Sequence, residues 1–207
     1  MHGSNGGHTN PDAQAKTWLL PEDVEAMRDA CLSGEVATYL QDRNEAIIAL
    51  LYDTGLRRGE AAAVNVDWLN FDEGVLQLPA AAQKGNAPEV PLELGKWGAD
   101  SSRILRRYLR DRWKDSNALF PSRESDRMTG RSIARVVRRA AVLADVEPQV
   151  VGGGRGEPTD VTPHTLRHSV AYRIIRREGG RLEDVQLRLR HASLQTTDRV
   201  YSHLRPR

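Results

Sequence analysis

Between Asp72 and Leu92 the chain crowds turn signals into a short span: Asp72-Glu-Gly74, Lys84-Gly-Asn86, and prolines at 79, 88 and 91. A long helix cannot run through such a stretch, because proline removes a backbone donor and clashes with the preceding turn. A small antiparallel sheet can. Val75-Leu-Gln-Leu78 alternates like a strand, Glu89-Val-Pro-Leu92 reads as another, and Lys84 falls at or near a hairpin tip. The prolines keep this sheet short and mostly edge. On both sides of it, apolar residues recur at helical spacing. The expected fold class is therefore mainly α with a small antiparallel β-sheet, an α+β domain.

The helical parts have readable ends. Pro21 with Glu22 and Asp23 suits a first turn, where carboxylates face the positive end of the dipole. A second helix is expected over Gln41–Asp53, with Ala46, Ile47, Leu50 and Leu51 as its stripe, ended by Thr54-Gly55. Another restarts near Arg57 and runs to about Val64. After Gly98, helices are expected over Ser101–Trp113 and Ser132–Leu143, the latter with Ile133, Val136, Val137 and Ala140 inward. Gly152-Gly-Gly-Arg-Gly156 lacks the Lys-Ser or Lys-Thr of a phosphate loop and reads as a flexible connection. Thr162 and Pro163 mark a helix start, with Leu166, Val170, Ala171, Ile174 and Ile175 as its buried stripe and Gly179-Gly180 as its stop. Short helices follow over Leu182–Leu189 and from about Thr196.

At 207 residues the chain is long enough to bury a core without staples. One cysteine, Cys31, rules out an intramolecular disulfide and a cysteine-based zinc site, which suits a reducing, intracellular compartment. No apolar run reaches membrane-spanning length. The net charge of +2 does not mark a nucleic-acid binder, but its distribution is uneven. Acidic residues dominate from Pro21 to Glu60, whereas arginines crowd into 103–112, 131–139 and 173–190. A near-neutral chain can present a basic face to phosphates in this way, or simply solvate helix surfaces. Arg131, Arg135 and Arg138 share one face of their helix and are the candidate DNA-binding side chains.

Three segments carry potential chemistry. In Pro163-His-Thr-Leu-Arg-His168, His164 and Arg167 lie on one helix face beside the positive N-terminus, a good setting for a phosphate. A capping histidine beside a surface arginine would look the same. His164 and His168 also have the spacing of a helical zinc pair, but Thr165 stands where a metalloprotease needs glutamate, and no third ligand is evident. Thr54-Gly-Leu-Arg-Arg-Gly-Glu60 sets Arg57 after a helix-ending glycine, with Glu60 three residues on to orient it. Arg190-His-Ala-Ser-Leu-Gln-Thr-Thr-Asp-Arg-Val-Tyr201 ends on a tyrosine that alone would pass for a packing residue.

In series, Gly-Leu-Arg-x-x-Glu, a hairpin lysine, His-x-Leu-Arg-His, and His-x-Ser-x-x-Thr-Thr followed by tyrosine resemble the catalytic domain of the tyrosine recombinases, the phage-integrase family. Each motif is weak singly and specific in this order, and together they cover Trp18 to Leu204. The resemblance implies a recombinase fold and a site-specific DNA recombinase that cuts and rejoins through a 3′-phosphotyrosyl intermediate. It implies Tyr201 as nucleophile, Arg57 and Arg167 as the arginines on the phosphate oxygens, and His164 as acid–base group. It also implies Lys84 as the acid for the leaving 5′-oxygen, and His191 as a hydrogen bond to the phosphate. His168 matches a common position outside the usual catalytic set. No cofactor and no metal are implied, since the phosphotyrosine stores the bond energy. The implied partners are double-stranded DNA and further copies of the chain in a tetramer, with no membrane.

Arg190 departs from the pattern, because the family usually has glycine there, and would either shift the local turn or add a phosphate contact. The family usually also carries a helical DNA-clamping domain ahead of the catalytic one. Since the pattern starts near Trp18, the expected layout is a disordered tail at 1–16 and a catalytic domain over 17–207 without that clamp. A type IB topoisomerase, relaxing supercoils as a monomer, uses similar chemistry and remains open at this point. So does a DNA-binding accessory factor that no longer cuts, although such a factor has no need of Tyr201 or Lys84.

Overall fold

The central element of the fold is one long helix that is buried on every side. In the computed structural model, which describes residues 17–83, 88–96 and 100–204, this is α2 (Thr38–Thr54), the second helix after β1 (Thr17–Trp18) and α1 (Pro21–Cys31). From Arg43 to Thr54 every α2 side chain is buried, so the expected four-residue stripe is instead a whole circumference. Helices α1, α4 (Ser101–Asp111), α5 (Gly130–Leu143) and α6 (Pro163–Tyr172) pack around it. A helix buried all round over this stretch has to be enclosed in this way. Its buried carboxylates are paired, Glu45 with Arg28 at 3.0 Å and with Arg107, and Asp53 with Arg188 at 2.7 Å, while buried Arg43 donates to Asn44 Oδ1 and to Pro121 O. Unpaired, each would carry a large desolvation cost.

Most helix limits follow their local signals. Asp23 accepts the Leu20 backbone N–H at 2.8 Å ahead of α1. Gly55 ends α2 in the left-handed region at φ 63°. Thr129 caps α5 by accepting from the Ser132 N–H. Helix α4 stops at Asp111, two residues short of Trp113, where Arg112 is already extended. Helix α3 (Arg58–Ala63) is a short link between α2 and the sheet.

That sheet has strand order β2 (Leu69–Asn70), β3 (Val75–Leu78), β4 (Val90–Glu93), all antiparallel. Pro91 lies on β4, an edge strand, opposite Gln77. Lys84, expected near the tip of the β3–β4 connection, lies outside the described residues, as does the tail expected over 1–16.

The glycine run is a correction. The chain from Pro148 to Gly156 folds back on itself, with Gly156 N–H donating to Pro148 O at 2.8 Å, and Gly152, Gly153 and Gly154 all have positive φ. This reversal aligns β5 (Gln149–Val150), which pairs with β1 across Thr17–Val150 and Trp18–Gln149. Helix α6 also departs from expectation: after Tyr172 it widens into a π-helical turn over Arg173–Arg177 before Gly179-Gly180. Helices α7 (Leu182–Leu189) and α8 (Leu194–Tyr201) complete the chain, α8 beginning two residues earlier than expected because Ser193 is its cap. Among the described residues no helix is long and apolar enough to cross a membrane.

Candidate active site

The start of α6 is fixed by a reciprocal cap: Thr162 Oγ1 accepts from the Thr165 N–H at 3.3 Å, and Thr165 Oγ1 from the Thr162 N–H at 3.1 Å. With Pro163 at the first helical position, this sets the rotation of the helix. His164 is left exposed in the first turn, whereas Arg167 and His168 turn inward and are buried.

Arg167 reaches two other helix ends at once. One terminal nitrogen donates to Gly55 O after α2, and the other to Leu189 O at the end of α7. Gly55 is required there twice over: its φ is left-handed, and an added Cβ would collide with the Leu189 side chain. Burial, followed by the charge of Arg57, pulls the Arg167 guanidinium down to about 9, so it remains cationic at neutral pH.

Arg57 precedes α3. Its backbone N–H donates to Glu60 Oε2 and its Nη1 to Glu60 Oε1, both at 2.8 Å. The Arg57 side chain is 34% exposed, whereas Glu60 is nearly closed off. Burial opposes ionisation of Glu60, but Arg190 and Arg57 outweigh it and hold its carboxyl below the usual range.

Tyr201 is the last residue of α8 and only 1% exposed. Its hydroxyl is hydrogen-bonded to His168 Nδ1 at 2.7 Å, and its ring lies parallel to that of His191 with centroids 5.9 Å apart. His191 is fixed in turn by Thr197 Oγ1, 2.9 Å from its Nδ1. Burial raises the Tyr201 phenol, and Arg167 and Arg57 act against this. Burial together with the charges of Arg167, Arg57 and Arg190 drives His191 down to about 3. His168 is also held well below 6.5, by burial first and then by His164 and Arg167. At neutral pH the cluster is therefore a neutral phenol and two neutral imidazoles beside fixed guanidinium charge.

Arg57, His164, Arg167, His191 and Tyr201, distant in sequence, thus form one cluster. Lys84 lies outside the described residues. Arg131, Arg135 and Arg138 are exposed on α5 and do not enter the cluster. Two further residues outside the expected catalytic set belong to it. His168 holds the Tyr201 hydroxyl, and its ring meets that of His164 edge-on at 4.2 Å. Arg190 joins Glu60 at 2.6 Å. The only forewarnings in the sequence were the position of His168 one turn beyond His164 and the arginine standing where glycine is usual. Among the described residues no group of three or more His, Cys, Asp or Glu side chains is arranged to hold a metal ion.

A model of the phage integrase family matches residues 17–207. The chain belongs to that family. This integrase-family chain is 29% identical to the tyrosine recombinase XerD of Pseudomonas putida over 192 residues, 90% of this chain and 57% of that one. It is 31% identical to XerD of Ralstonia nicotianae over 202 residues, 95% of this chain and 56% of that one. It therefore spans little more than half the length of these relatives. Among solved structures, the XerA recombinase matches with a TM-score of 0.68 at 23% identity, over 92% of this chain and 65% of that one. A lambda integrase dimer bound to a COC′ core site matches with a TM-score of 0.64 at 16% identity, over 89% and 47%. The fold is that of the integrase catalytic domain.

Proposed function

We propose that this chain is the catalytic part of a site-specific DNA recombinase that cleaves and rejoins duplex DNA through Tyr201. The observation that carries this reading is the Tyr201 hydroxyl, enclosed by His168 and His191 and lying within the field of Arg167 and Arg57. A packing tyrosine gains nothing from two guanidiniums; a nucleophile aimed at a phosphodiester does.

Tyr201 Oη attacks the phosphorus and forms an Oη–P bond while the phosphorus keeps its 3′-oxygen, and the bond to the 5′-oxygen breaks. Splitting the transfer in two conserves the bond energy in the phosphotyrosine. The resealing strand then attacks with its own 5′-hydroxyl, so neither nucleotide nor metal is consumed. Negative charge builds on the non-bridging oxygens, and the planar forks of Arg57 and Arg167 suit them as a point charge does not. Loss of either should slow cleavage by roughly 10²–10³. His164 exchanges the phenolic proton, His191 hydrogen-bonds the phosphate as a neutral imidazole, and Lys84 protonates the leaving 5′-oxygen. To reach DNA the hydroxyl has to leave His168 Nδ1, so α8 moves when the substrate docks. Arg131, Arg135 and Arg138 hold the DNA backbone. The working assembly is a tetramer on DNA in the cytoplasm. Several structural relatives are recombinases bound to their DNA substrates, among them the XerH recombinase with difH, which supports DNA as the partner.

Covalent trapping tests this directly. Protein with EDTA is mixed with labelled DNA from the flanks of its own gene and with supercoiled plasmid, and an SDS gel is read for a protein–DNA adduct. Wild type should give the adduct and Tyr201→Phe should not. DNA binding with no adduct on any substrate would overturn the reading.

A further inference from the structure

Arg190 occupies a backbone position that suits glycine. It closes α7 with φ 54° and ψ 49°, in the left-handed region where a side chain is disfavoured. Glycine would end this helix more comfortably, so the side chain should serve something else. It does not face solvent: it is 6% exposed, and Nη2 donates to Glu60 Oε2 at 2.6 Å. Nη1 donates to Arg188 O at 3.2 Å. Nε is buried with no hydrogen-bond partner among the described residues.

The partner explains it. Glu60 is the carboxylate that grips Arg57, so one buried anion is shared by two guanidiniums. With Arg57 alone, Glu60 would form a pair of zero net charge, and the field of Arg57 would be spent on the carboxylate. With Arg190 added, the trio carries one net positive charge, and Glu60 is divided between two cations. The same residue joins two parts of the site in space, since Leu189 O on one side of Arg190 accepts from Arg167, and His191 on the other stacks on Tyr201.

We propose that Arg190 is a positioning residue that acts through Glu60 to set the orientation and free charge of Arg57, and so tunes phosphate recognition in this chain. This rests on the recombinase reading of the site. Arg190 touches no reacting group; Arg57 does.

The test uses Arg190→Gly, whose backbone suits the position, and Arg190→Lys, which keeps the charge and loses the fork. Two readouts are taken on the full chain. The first is the rate of adduct formation at saturating DNA, together with the DNA concentration for half saturation. Arg190→Gly should lower the saturated rate tenfold or more with less than a twofold change in half saturation, and Arg190→Lys should recover part of the rate. The second needs no DNA turnover: the side-chain NMR resonance of Arg57 Nε–H should shift in Arg190→Gly and move back in Arg190→Lys. A folded Arg190→Gly with a wild-type rate and an unmoved Arg57 resonance would mean that Arg190 only ends a helix. A change confined to half saturation would make it a DNA contact, and would equally overturn the proposal. If wild type itself gives no adduct, the recombinase reading fails, and the Arg57 resonance still decides whether the tether exists.

Discussion

Tyr201 and His168 satisfy each other in a place that water does not reach. Changing Tyr201 to Phe removes one hydroxyl and leaves His168 with neither ring nitrogen partnered, since its Nε2 already has no partner among the described residues. A buried donor or acceptor stripped of its partner costs about 1–3 kcal/mol. Tyr201→Phe should therefore be less stable to urea by that amount, in addition to losing the proposed chemistry. Equal stability would show that His168 does not depend on the hydroxyl. The histidines also set a pH response. His191 falls from 6.5 to about 3, and His168 falls too, so below the ordinary histidine range the unfolded chain takes up protons that the folded chain refuses. Stability is full above pH 6.5 and drops as the pH falls toward the folded values, by at most about 1.4 kcal/mol per pH unit per group. Melts between pH 7.5 and 5 should show this slope, and His191→Asn, which can keep the bond to Thr197, should reduce it.

At the level of elements, the site is built at helix ends, and Gly55 is where three of them meet. Gly55→Ala forces a side chain into a left-handed turn and into Leu189, and moves the carbonyl that Arg167 grips. Strain and overlap together should cost about 2–3 kcal/mol, and adduct formation should fall more steeply than stability. Denaturation and trapping assays on one preparation check both, and a stable, fully active Gly55→Ala would contradict the close approach. The same junctions mark what was legible in the sequence. Helices announced themselves through local signals: Pro21 with its carboxylates, Gly55, and Thr162-Pro163. The β1–β5 pairing did not, because two-residue strands carry no period and join positions about 130 residues apart. The burial of α2 from Arg43 to Thr54 was hidden as well, since Glu45 and Asp53 read as surface residues until arginines from other elements neutralise them, and Arg43 until the Pro121 carbonyl accepts from it. In the site, motif order named the residues that converge on Tyr201. The hydrogen bond between His168 and Tyr201 and the Arg190–Glu60 contact depend on how α6 meets α8 and how α7 meets α3, which no local pattern encodes.

Across the whole molecule, the arginines divide into those that are neutralised and those that are not. On α4, Arg103, Arg107 and Arg110 lie against Asp100, Asp42 with Glu45, and Asp111. That helix is rich in arginine but offers phosphates little uncommitted charge. On α5, Arg131, Arg135 and Arg138 are exposed and appear in none of the ion pairs described, while Ile133, Val137 and Ala140 anchor the other face in the core. Helix α5 also packs on α3, with Gly130 seated against Arg58, the residue next to Arg57. On the proposed reading, a DNA backbone laid along α5 is registered against the helix that Arg57 caps. Replacing the three α5 arginines with glutamine should leave the melting temperature nearly unchanged, because exposed side chains contribute little to stability. DNA affinity should fall, and the slope of log affinity against log salt should become shallower by up to about 2.7, at roughly 0.9 per phosphate contact released. Titrations from about 50 to about 200 mM salt measure the slope. An unchanged slope would remove α5 from the proposed interface and leave Arg57 and Arg167 as the cations facing Tyr201.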